Sequence, residues 1–182
     1  LMTGCSFLLI LVQPDLGTSV ALAMTIGIII FAAGIPWKQL FYLIVFSLPL
    51  LLYFSLSEKY RMQRIFSFLD PWADPLDTGY QIIQSLYALG PGGLFGVGLG
   101  RSRQKLYYLP EPQNDFIFSI IGEELGFLGA VTIMLLFFVL IWRGFKTSLL
   151  APDNFSSLLA TGVTAMVAVQ TLLNIGVVTG SI

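Results

Sequence analysis

Apolar positions in this chain come in long unbroken stretches, not in alternation. Uncharged runs extend from Leu1 to Pro14, Leu16 to Trp37, Gln39 to Ser57, Leu125 to Trp142 and Asn154 to Ile182. Most approach the ~20 residues that a helix needs to cross a bilayer. Inside hydrocarbon each backbone N–H and C=O must be satisfied within its own segment, and these Leu, Ile, Phe, Ala and Gly mixtures suit helices, not barrel strands. The pattern predicts an all-α polytopic membrane protein with about four spans and a shortened first one. Pro49, inside the second full run, predicts a kink. The chain starts in an apolar run without a charged leader and is still apolar at Gly180-Ser181-Ile182, so it is expected to be a piece of a longer protein.

Composition agrees. Hydrophobic residues make up 56% of the 182 positions and charged residues 10%, with a mean hydropathy of +0.86. Soluble domains carry roughly 25% charged residues. Cys5 sits alone in an apolar run, which excludes an intrachain disulfide, and histidine is absent. Any acid–base work therefore falls mainly to carboxylates.

Charge divides the chain. Twelve of its nineteen charged residues lie between Glu58 and Phe116. The expected organisation is one membrane domain: helices over 1–57, a long polar loop over 58–116 and helices over 117–182. Lys38, Arg143 and Lys146 in the short loops predict cytoplasmic placement and an outward-facing long loop, although the six cations of that loop run against a simple count. Connections are usually ~4 to 6 residues, so a loop of this size is functional or structured. Tyr60 to Leu69 and Tyr80 to Leu89 have helical patterns suited to the membrane interface. In the second, Ile82, Ile83, Leu86 and Leu89 share a face while Gln81, Gln84 and Ser85 turn elsewhere. Between them Asp70-Pro71-Trp72-Ala73-Asp74-Pro75 is turn chemistry, with Trp72 as an interfacial anchor.

The glycine run from Gly90 to Gly100 permits close backbone approach to a ligand but holds neither a dinucleotide fingerprint nor a Walker lysine. Arg101, Arg103 and Lys105 follow it and, if extended, point to one side. Such a row suits a phosphate or pyrophosphate. It equally suits lipid headgroups or simple solvation, as do Arg61 and Arg64. Asp115, just ahead of a long apolar helix, reads as an N-cap or as a partly desolvated general base. Glu123 and Glu124 would lie about 12 to 14 Å deeper on a continuous helix, so at least one should face the bundle interior. Asp15 caps the following helix or contacts substrate. No metal-ligand cluster is visible.

Ordered motifs run along nearly the whole chain: Gln13-Pro14-Asp15-Leu16-Gly17-Thr18, Tyr60-Arg61-Met62-Gln63-Arg64, Phe68-Leu69-Asp70-Pro71-Trp72, Gly79-Tyr80-Gln81 and Gln84-Ser85 come first. The glycine run, Gly100-Arg101-Ser102-Arg103-Gln104-Lys105, Tyr108-Leu109-Pro110-Glu111, Asp115-Phe116-Ile117-Phe118, Gly122-Glu123-Glu124-Leu125-Gly126 and Asn174-Ile175-Gly176 follow. Together they resemble the SEDS family, and the Asp-Pro-Trp and Ser-Arg-Gln-Lys segments are nearer its FtsW and SpoVE branch than RodA.

That resemblance implies a peptidoglycan glycosyltransferase of division or sporulation in the bacterial cytoplasmic membrane. It would polymerise lipid II at the outer face, pair with a class B penicillin-binding protein and release undecaprenyl pyrophosphate. The family has about ten spans, of which this chain would supply middle and later ones. Asp115 matches the family's essential aspartate. Many members carry His-Thr where this chain has Gln113-Asn114. Substrate contacts are expected from Arg61, Arg64, Gln84, Ser85, Arg101, Lys105 and Glu111, and a polar intramembrane site from Asp15, Glu123 and Glu124. No cofactor is evident; Mg or Mn sharing the pyrophosphate charge stays open. Membrane lipids are expected neighbours and nucleic acid is not. A lipid II flippase and a non-catalytic scaffold for the transpeptidase are the alternative functions.

Overall fold

The computed structural model describes residues 16–42, 45–46, 49, 70–76, 79–102 and 116–181. The kink expected at Pro49 and the helix expected over Tyr60 to Leu69 fall on or beside residues outside this set. Four helices organise the described chain: α1 (Leu16–Ala32), α2 (Tyr80–Gly92), α3 (Ile117–Leu149) and α4 (Asn154–Val178). Residues 37–42 are also helical, and the described residues contain no strand.

α3 and α4 are the two described helices long and apolar enough to cross a membrane, with mean hydropathies of 2.6 and 1.7 over their best windows. Their large side chains, among them Leu135, Phe138, Leu140 and Trp142 on α3 and Leu159, Val163 and Leu172 on α4, lie exposed on the protein surface. Apolar residues all round a helix suit hydrocarbon as the solvent. α1, at 17 residues, is shorter than the Leu16 to Trp37 run that predicts it. It stops because Gly34 turns left-handed at φ 89°. The Gly34 N–H then reaches the Phe31 carbonyl at 3.0 Å and the Ile35 N–H the Ile30 carbonyl at 3.4 Å. That pairing satisfies the orphan carbonyls of the last turn.

Two compact units are present: Leu1–Lys59 with Val139–Gln170, and Tyr60–Phe138 with Thr171–Ile182. In the first, α3 and α4 approach so closely that a Cβ on Gly144 would overlap the Thr164 side chain. One turn on, the Ser148 hydroxyl lies 2.6 Å from that of Thr161 and donates to the Ser157 carbonyl at 3.0 Å. Small residues and hydroxyls are how membrane helices hold together when water exclusion cannot drive them. Between the two helices Asp153 caps α4, its carboxylate accepting from the Ser156 N–H at 2.8 Å and the Ser156 hydroxyl at 2.8 Å. Those bonds, the backbone one foremost, hold the Asp153 carboxyl below its ordinary value of 3.8.

The second unit contains the candidate site. Its core is Phe116, Phe118 and Val178, with Leu89, Ala130 and Ile175 packed on it. The Asp70 to Pro75 turn is a 3-10 turn over Pro71–Ala73, capped by the Asp70 carboxylate accepting from the Trp72 N–H at 3.2 Å. Trp72 is exposed and meets Tyr87 of α2 edge-on at 5.9 Å.

α2 buries Ile82, Ile83, Ser85, Ala88 and Gly92. Ser85 is thus turned inward, not away with Gln81 and Gln84 as the apolar pattern predicts. The reason is polar: it donates to the Val178 carbonyl at 2.7 Å, at the end of α4 where carbonyls lack helical partners. Gly90, Pro91 and Gly92, which read as the start of a glycine loop, instead complete α2.

Candidate functional site

α3 is not continuous. At Gly126 the backbone turns to φ 67°, ψ −168° and divides it into a short segment carrying Glu123 and Glu124 and a long apolar one. In an unbroken helix the Glu123 and Glu124 carbonyls would accept from the Phe127 and Leu128 N–H groups. Here all four groups are paired with the glycine segment instead. Val97 N–H donates to the Glu123 carbonyl at 2.9 Å and Gly98 N–H to the Glu124 carbonyl at 3.1 Å. Phe127 N–H donates to the Gly93 carbonyl at 2.9 Å and Leu128 N–H to the Leu94 carbonyl at 3.2 Å. The glycine segment therefore acts as a plug that replaces the missing helical bonds. Broken helices persist at membrane depth only when such groups are satisfied inside the protein.

Glycine is required on both sides of this contact. A Cβ on Gly96 would overlap the Glu124 carbonyl, and one on Gly126 would overlap the Gly96 backbone nitrogen. The close backbone approach that the glycine run permits is thus made to α3.

The plug delivers the next residues to the acidic turn. Ser102, 1% exposed, donates its hydroxyl to Glu123 Oε2 at 2.5 Å, and Glu123 itself is 3% exposed. That length is characteristic of a hydroxyl held by a carboxylate. Arg101, immediately before, is exposed, with its aliphatic stem 3.5 Å from where a Cβ on Gly98 would lie. Glu124 is half-buried, and its Oε1 is buried with no hydrogen-bond partner among the described residues.

Of the residues singled out in the sequence, Glu123 and Glu124 share the short segment of α3, and Arg101 is the residue before the Ser102 that bonds Glu123. Gln84 and Ser85 lie on α2, where Gln84 is half-buried and the fully buried Ser85 hydroxyl lies 2.8 Å from that of Ser119. Because the Ser85 proton goes to the Val178 carbonyl, Ser119 is the donor in that pair. Ser85 therefore bonds protein in this fold. Asp15, Arg61, Arg64, Lys105, Glu111 and Asp115 lie outside the described residues. Sequence reasoning missed Ser102 and Ser119; Ser102 stands inside the cationic motif, but nothing local says that it reaches Glu123. Among the described residues no three His, Cys, Asp or Glu side chains gather as a metal site.

The fold and this turn define a class: an all-helical membrane protein in which a broken helix carrying paired glutamates is closed by a glycine segment leading into cations. The chain belongs to the FtsW/RodA/SpoVE family, whose profile, described as "Cell cycle protein", matches residues 1–182. It is 54% identical over 177 residues to Stage V sporulation protein E of Bacillus subtilis (strain 168), covering 97% of this chain and 48% of that protein. It is 42% identical to the probable peptidoglycan glycosyltransferase FtsW of Geobacter sp. (strain M18), covering 99% of this chain and 49% of that protein. The FtsW of Dichelobacter nodosus (strain VCS1703A), named likewise, is 44% identical over 99% of the chain. A chain from the solved structure described as structural coordination of polymerization and crosslinking by a peptidoglycan synthase complex superposes with a TM-score of 0.75. That match has 29% identity and covers 98% of this chain and 49% of the other. The chain spans about half the length of the curated relatives it matches.

Proposed function

We propose that this chain is part of a peptidoglycan glycosyltransferase that polymerises lipid II at the outer face of the bacterial cytoplasmic membrane, in division or sporulation. What carries the reading is identity of 42% and 44% to proteins named for that activity, sustained over 99% of the chain in each. The long loop over 58–116 faces outward, Lys38, Arg143 and Lys146 face the cytoplasm, and the protein is multi-pass. A class B penicillin-binding protein is its partner, a reading supported by the likeness to a chain of a synthase complex.

In the proposed reaction the acceptor sugar's 4-hydroxyl oxygen attacks the anomeric carbon of the lipid-linked donor with inversion. The bond to the diphosphate breaks, undecaprenyl pyrophosphate leaves, and Asp115 takes the hydroxyl proton. Arg61, Arg64, Arg101 and Lys105 stabilise the charge growing on the leaving group. Gln84 and Glu111 contact substrate. Loss of activity on chelation would add Mg or Mn to these cations; unchanged activity would leave the charge to them alone.

Purified full-length protein given fluorescent lipid II tests the assignment. Wild type forms glycan polymer, and Asp115→Asn forms none while still binding lipid II. Full polymerisation by that variant would sink the assignment. The flippase reading has one observation on its side, the buried Glu124 Oε1, which has no hydrogen-bond partner among the described residues. Lipid II crossing vesicle membranes without any polymer forming would favour it.

A further inference from the structure

Glu123 holds the plug twice. Its carbonyl accepts from the Val97 N–H at 2.9 Å and its carboxylate from the Ser102 hydroxyl at 2.5 Å. One residue of the short α3 segment thereby fixes both ends of the turn 97–102. The residues between are poorly held by packing: Leu99 and Gly100 are exposed, and Gly98 and Gly100 have positive φ. Arg101 is exposed while its neighbour Ser102 is almost wholly buried. The point where the cationic segment leaves the plug is therefore set by a buried side-chain bond.

We infer that Glu123 is a positioning residue: through Ser102 it latches the start of the cationic segment to the broken helix and so sets where the Arg101 guanidinium stands. Placing Arg101 for a diphosphate leaving group rests on the function proposed above; the latch itself does not. A buried hydroxyl-to-carboxylate bond is among the stronger hydrogen bonds a protein makes. Removing either partner opens the turn while leaving the backbone plug in place.

Trypsin reports this directly, because the Arg101–Ser102 bond is cleavable only when Ser102 leaves its pocket. The measurement is the rate of cleavage after Arg101 in purified full-length protein in detergent, relative to cleavage after Arg143 and Lys146 in α3. Ser102→Ala and Glu123→Ala should each raise that ratio on the order of 10- to 100-fold. Ser102→Thr, which keeps the hydroxyl, should stay near wild type, and the double alanine variant should add little to Glu123→Ala. A variant that simply unfolds is cut at all three positions, leaving the ratio unraised. An unchanged ratio in both single variants, with cleavage after Arg143 and Lys146 no faster than in wild type, overturns the latch.

A second arm uses lipid II. In Ser102→Ala the KM should rise several-fold more than kcat falls, as expected when a substrate-facing cation is misplaced and the general base is untouched. A raised cleavage ratio with unaltered polymerisation would overturn the role of the latch in placing Arg101. If wild type makes no polymer, the function falls, and the protease ratio still decides the latch.

Discussion

Gly96 and Gly126 lie backbone against backbone, 30 residues apart in the chain, each with positive φ and each occupying space that a side chain on the other would need. Their contact lets the glycine segment reach the carbonyls and N–H groups freed by the break in α3.

Gly96→Ala and Gly126→Ala should each destabilise the protein by about 2–4 kcal/mol, since the added methyl meets fixed backbone and the conformation is strained for an L residue. Gly90→Ala is the contrast. It is helical with open space around the position, so it should be neutral or up to about 1 kcal/mol stabilising. Thermal denaturation in detergent checks all three. Equal effects would refute the plug.

Ser85→Ala should cost more than Ser119→Ala. The first removes the donor to the Val178 carbonyl and the acceptor of the Ser119 hydroxyl, at about 1–3 kcal/mol. The second removes only a donor to Ser85 and should cost about 1 kcal/mol. Melting curves of the two variants, with the double variant to test coupling, decide the order.

Asp153 should make the start of α4 sensitive to acid. Its carboxyl titrates below 3.8 because the Ser156 bonds favour the ionised form. A lowered folded-state value means that the stabilisation is complete above 3.8 and fades as pH falls through the lowered value. Carboxyl titration followed by NMR in detergent checks the direction. Asp153→Asn should remove this acid response while keeping part of the cap.

Arg101→Ala and Lys105→Ala should each lower kcat/KM for lipid II roughly 10- to 100-fold without changing the melting temperature. Unchanged kinetics would return both cations to the role of binding lipid headgroups.

The helices were legible where composition alone decides them. Leu125 to Trp142 lies within α3, and the predicted run from Asn154 supplies α4 as far as Val178, because a long uncharged run has no better solution in hydrocarbon. α2 was legible from its periodicity, yet Ser85 was misplaced, because the partner that turns it inward is the Val178 carbonyl, distant in the chain. The ordered motifs were enough to place the chain in its family.

By itself, then, the sequence determined the solvent the helices suit, the family, and the residue types available for chemistry: carboxylates and cations without histidine. Only the tertiary structure decided where α3 breaks and what Glu123 holds. A glycine after Leu125 is tolerable in an apolar helix, and its positive φ depends on Gly93 to Gly98 arriving to take up the freed backbone groups. The bond from Ser102 to Glu123 joins residues 21 apart. A link of that kind leaves no local pattern, because it is made by the path of the chain between its two ends.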